Sequence, residues 1–158
     1  PENYNARAEV MWAGSLSHNG LTGCGTDGGD WATHQIEHEL GGMFDVAHGA
    51  GLAAVWGSWA RYVVSEGTER FARLAVRVLG VSGTGSDMEK ALKGIEAMEG
   101  FFRSVNMPIS LGQLGIKPTE EQMREMAEKC TFWGQRTIGC VKTLAQEDVY
   151  QIYRKAAL

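Results

Sequence analysis

Four histidines occur in the chain, and three of them, His34, His38 and His48, fall within one short stretch. His34 and His38 are four residues apart, so on a helix their imidazoles project from one face, a turn from each other. His48 follows Gly41-Gly42 and a brief connection, and a second helix is expected to open there. A helix, a turn and a return would bring His48 back near the first histidine. Imidazole suits zinc and iron, and sets of several histidines with a carboxylate are common for both. Glu37, Glu39 and Asp45 are the carboxylates at hand. Helix geometry aims Glu37 and Glu39 away from His34, so each reads as a solvated charge or as the outer partner of a ligand.

The histidines alone leave a plainer reading open. A histidine pair on a helix is more often surface or core than ligand. Two or three histidines do not complete a catalytic centre, which for zinc takes three protein ligands and an open position. No Asp-x3-His partner precedes the cluster in these residues. HQIEH has Gln35 where a zincin needs glutamate, which argues against a metalloprotease.

The elements that must position these residues read as helices almost throughout. Tyr4, Arg7, Ala8, Met11, Trp12 and Ser15 have helical spacing over 3–18, ending at Asn19-Gly20. GLTGCGTDGG (20–29) is a glycine-rich loop, either a plain solvent turn or backbone drawn close to a metal or cofactor. Asp30 is expected to cap a helix opening at Trp31, with Ile36, Leu40, Met43 and Phe44 as its apolar stripe. From His48 to about Ser65 the chain is small and apolar nearly all round, which predicts a central helix. Thr68 is expected to cap the next helix, stopped by Gly80. Ser86-Asp87-Met88-Glu89 and Thr119-Glu120-Glu121-Gln122 are capping boxes. Met88, Leu92, Ile95, Met98 and Phe102 form the expected core face after the first of these, and Pro108 closes that segment. A last helix near 146–156 presents Val149, Ile152, Tyr153 and Ala156. The expectation is an all-α helical bundle of about seven helices and no sheet, in one domain spanning 1–158.

Composition narrows the partners. The net charge of −4 offers no basic footprint for nucleic acid, and no apolar run is long enough to span a bilayer. Cys24, Cys130 and Cys140 are an odd set without CxxC spacing, pointing to a reducing compartment such as the cytoplasm. Cys130 and Cys140 read as small buried hydrophobes. The start at Pro1, inside a helical pattern, reads as a fragment.

The stretch DWATHQIEHELGGMFDVAHG (Asp30 to Gly49), the opening PENYNARAEVMWAGSLSHNGL and the run CTFWGQRTIGC together resemble the iron-containing alcohol dehydrogenases. Within them the likeness is to the butanol dehydrogenase branch, which includes broad aldehyde reductases. It spans essentially the whole chain. The resemblance implies the C-terminal helical domain shared by these enzymes and the dehydroquinate synthase-like proteins. It implies a divalent metal, iron or zinc, held by His34 and His48. It places His38 near the nicotinamide and the reacting oxygen, in a catalytic and cofactor-contacting role such as proton relay. Two further ligands, spaced D-x3-H, and the N-terminal Rossmann-like domain that binds NAD or NADP are expected outside these residues. The isolated chain is therefore expected to be inactive. With its nucleotide-binding partner domain it would act, as a homodimer, on a small primary alcohol or aldehyde. The alternatives are a non-catalytic helical binding or oligomerisation module, and a relative of glycerol dehydrogenase or dehydroquinate synthase.

Overall fold

Eight α-helices and one 3-10 turn supply the regular structure of the computed structural model, which describes residues 2–26 and 28–158. No strand occurs among the described residues; an isolated antiparallel bridge joins Ile138 to Leu144. The chain divides into two units, Pro1–Asp30 and Trp31–Leu158.

The first unit holds α1 (Tyr4–His18) and the 3-10 turn Leu21–Gly23. Asn3 caps α1 by accepting from the Ala6 amide at 3.0 Å, and the chain leaves through Gly20 at φ 86°. The helix is where its spacing predicts, but its apolar residues are not core. Tyr4, Met11 and Trp12 are exposed, and α1 has no buried residue. A periodic stripe gives burial only when another element covers it, and among the described residues this unit adds only the turn Leu21–Gly23.

The second unit is a bundle around α3 (His48–Val63), which packs against α2 (Ala32–Phe44), α5 (Asp87–Ser104), α6 (Leu111–Leu114) and α8 (Gln146–Ala156). Its buried Gly51, Ala53, Ala54, Gly57 and Ala60 let neighbours approach closely, while Val55, Trp59 and Val63 fill the core. A Cβ at Gly57 would stand 2.0 Å from Glu99 Oε1, and Glu99 forms a two-pronged ion pair with Arg61 across this interface. On the other side of α5, α4 (Thr68–Arg77) approaches so closely that a Cβ on Gly94 would lie 2.5 Å from Ala75 Cβ. α7 (Glu120–Cys130) joins α2 and α8, and the Tyr153 hydroxyl donates to the Ile36 carbonyl oxygen at 2.6 Å, tying α8 to the back of α2.

Both capping boxes are present. Ser86 Oγ and Thr119 Oγ1 accept from the amides of Glu89 and Gln122, whose side chains accept in return. Four expectations are corrected. α2 opens at Ala32 behind Trp31, one residue later than expected. Gly67 precedes α4, and the Thr68 hydroxyl instead donates back to the Val64 carbonyl, finishing the preceding turn. Of the expected face of α5, Ile95 is buried and Met98 and Phe102 are half-buried, whereas Met88 and Leu92 are exposed; Ala91, Gly94 and Glu99 complete the buried face, Gly94 where α4 comes too close for a side chain. Cys130 is buried as expected, but Cys140 is exposed beside the Ile138–Leu144 bridge.

Candidate metal centre

α2 carries His34 and His38, and its length is set by what stops it. Asp45 takes a left-handed conformation (φ 52°, ψ 43°) while its amide still donates to the Gly41 carbonyl. Asp and Asn reach this region at lower cost than other side chains. Val46 and Ala47 complete the corner, and α3 begins at His48 itself. The chain reverses within three residues and sets His48 over the face from which His34 and His38 project.

The three imidazoles converge as the spacing predicts. The His48 ring centroid lies 5.5 Å from that of His34 and 5.5 Å from that of His38. Trp31 meets the His34 ring edge-on at 4.7 Å, giving it an apolar side wall. His34 is half-buried, whereas His38 and His48 are exposed, so the cluster opens outward from the unit that carries it.

Of the two places the sequence leaves open for Glu37, a solvated charge or the outer partner of a ligand, the structure takes the second. Three residues on from His34, Glu37 turns to the same side of the helix rather than away from it, and it is not solvated: it is only 1% exposed, on the face of α2 that packs against α3. Oε2 pairs with His48 Nδ1. Oε1 is buried and has no hydrogen-bond partner among the described residues. The room for this side chain comes from Gly51, where a Cβ would lie 2.5 Å from Oε1 and 2.7 Å from Cγ. The signal lay in α3, where a glycine one turn after His48 faces the α2 acid, and reading it requires knowing that the two helices touch.

The other two acids serve elsewhere. Glu39 faces α7 near Lys129, and burial pushes its carboxyl above the usual range against the pull of Lys129, Arg136 and His38. Asp45 is exposed and does its work through its backbone.

These donors suit a divalent cation. One possible ligand atom each from Glu37, His38 and His48 lies within 4.8 Å of the others, and His34 borders the same cluster. A buried carboxylate with one unpartnered oxygen is costly in a protein interior, and nearby positive charge offsets that cost. Imidazoles beside a buried acid are a donor set that suits zinc or iron.

Comparison with known proteins follows the same line. Residues 1–157 match a family model described as "Fe-containing alcohol dehydrogenase family, C-terminal". The chain is 38% identical over 154 residues to the probable NADH-dependent butanol dehydrogenase 1 of Bacillus subtilis, covering 97% of this chain and 38% of that protein. It is 33% identical over 156 residues to NADH-dependent butanol dehydrogenase A of Clostridium acetobutylicum, covering 98% and 39%. The crystal structure of NADH-dependent butanol dehydrogenase A from Thermotoga maritima superposes with a TM-score of 0.90 at 36% identity, covering all of this chain and 40% of the other. The aldehyde reductase YqhD of Escherichia coli gives a TM-score of 0.88 at 31% identity, with 99% and 40% covered. The chain thus spans about two fifths of the length of these relatives.

Proposed function

The chain belongs to the Fe-containing alcohol dehydrogenase family, and from that premise we propose that it forms the metal-binding part of an NAD(P)-linked alcohol dehydrogenase or aldehyde reductase. The substrate class is a small primary alcohol or aldehyde. The observation that carries the reading is the convergence of His34, His38 and His48 across the α2–α3 corner, backed by a buried acid. When bound, a divalent cation supplies Lewis-acid polarisation of the substrate oxygen, and a nicotinamide supplies or accepts the hydride.

The chain's own residues divide that work. His34 and His48 would hold the cation, each from a different helix, with the α2–α3 corner bringing their rings together. His38 is exposed one turn from His34, on the open side of the cluster, and moves the proton that the alcohol oxygen gains or loses. Trp31 packs on His34 and limits water on that flank. The remaining ligands and the nucleotide-binding surface come from the rest of a longer enzyme, which we take to be a homodimer. The names of the relatives support NADH for some and NADPH for others.

Metal analysis beside steady-state kinetics on the full-length enzyme decides the roles. His34→Ala and His48→Ala should lose metal and activity together. His38→Ala and His38→Asn should keep the metal while turnover falls by about 10²–10⁴-fold, as for a general acid–base group. Loss of metal from His38→Ala as complete as from His34→Ala would reverse the ligand assignment. Retention of metal and turnover by all three would leave the histidines structural and the bundle a binding module.

A further inference from the structure

We propose that Glu37 is the positioning residue of the metal centre: it holds His48 through Nδ1 and leaves Nε2 as the nitrogen available to the cation. This rests on the reading of His48 as a ligand given above.

The two ends of the Glu37–His48 pair lie in different surroundings. The Glu37 side chain is 1% exposed and that of His48 is 52% exposed, so a buried anchor steers a half-exposed ring. A carboxylate can only accept, so the hydrogen of this contact belongs to Nδ1 and the Nε2 lone pair is free. A carboxylate behind a ligating imidazole fixes the tautomer and ring orientation and makes the outward nitrogen a stronger donor. His48 needs such a restraint. It is the first residue of α3, preceded by a cap without a side-chain hydrogen bond, and its half-exposed ring otherwise meets only the rings of His34 and His38 among the contacts seen.

The unpartnered Oε1 points the same way. A carboxyl group with one oxygen bonded and the other buried without a partner is poorly compensated. A cation held at Nε2 would polarise the Nδ1–H toward Oε2 and would bring positive charge near the acid, offsetting that penalty. The pocket is shaped for this side chain, since Gly51 on α3 leaves room that any Cβ would remove and Gly41 flanks Oε1 on α2. Glu37 is not itself the ligand, because Oε2 is already engaged by His48 and Oε1 is enclosed between the helices.

The full-length enzyme, with Zn²⁺ and Co²⁺ as probes, tests the proposal. Glu37→Ala should weaken Zn²⁺ binding, measured by chelator competition, by about 10–100-fold. Glu37→Gln should recover part of that loss, because the amide oxygen still accepts the Nδ1 hydrogen without the charge. The visible bands of the Co²⁺-loaded Glu37→Gln protein should keep the parent pattern, since the ligands are unchanged. Gly51→Ala removes no polar atom, yet by displacing Glu37 it should weaken Zn²⁺ binding in the same direction. Parental Zn²⁺ affinity in both Glu37 variants, with only a lower melting temperature, would make the acid purely structural and overturn the proposal. So would Co²⁺ bands reporting a lost ligand, together with metal loss as complete as in His48→Ala. The underlying ligand reading is checked separately. If His48→Ala keeps its Zn²⁺, that reading fails and takes this inference with it; if His48→Ala loses Zn²⁺ and Glu37→Ala does not, the inference fails alone.

Discussion

Cys130 lies at the end of α7 with no exposed surface, and desolvation pushes its thiol up to about 12, with the charge of Glu39 adding to the shift and Arg136 opposing it. The thiolate is the nucleophile, so a buried thiol held this high is inert at neutral pH. Cys24 and Cys140 are exposed. Titration of the native protein at pH 8 with an aromatic disulfide reagent should therefore modify two thiols promptly and the third only on unfolding. Prompt reaction of all three would show that the α7 end is open to solvent. At this scale the sequence was informative where chemistry follows from spacing and silent where it follows from a neighbour. Spacing along a helix shows that His34 and His38 share a face. The burial of Glu37 depends on a glycine fourteen positions later on another helix, and no local pattern signals it.

Helix ends were legible wherever the stop or start is made by the side chain itself. Ser86 with Glu89 and Thr119 with Gln122 close reciprocal hydrogen bonds that depend only on neighbours three apart. The start of α2 is not built that way: the cap position falls on Trp31, a residue later than the spacing of Asp30 suggests. α6 is four residues long, too short to carry a period. The α4–α5 interface hid its face for another reason. Apolar periodicity favoured Met88 and Leu92, whereas the contact is made by Gly94 against Ala75. Gly94→Ala should gain a little helix propensity yet lose about 1–3 kcal/mol from overpacking. Chemical denaturation measures the balance, and an unchanged or raised stability would mean that α4 can slide to make room.

Across the whole chain, the all-helical architecture was readable because nearly every segment has the helical period and almost none alternates. The division into two units was not, since it depends on which apolar faces find a cover. α1 has no buried residue, while eight residues of α3 are buried. Local opening free energies follow buried contacts, so the amides of α1 should exchange with solvent far faster than those of α3 in this chain by itself. Equal protection of the two helices by hydrogen exchange would show that something covers the α1 face in solution. No helix among the described residues is long and apolar enough to cross a membrane.

The corner between α2 and α3 also restricts how the gene can change. Connections on protein surfaces generally absorb insertions and deletions at small cost, because closing a slightly longer loop takes little extra entropy. Asp45, Val46 and Ala47 are not free in that way. One residue added or removed there and taken up by α3 turns His48 by about 100° around the helix axis. The ring would leave Glu37, and Gly51 would no longer face the acid it makes room for. Single substitutions in the corner can drift, but its length is held by residues on either side of it.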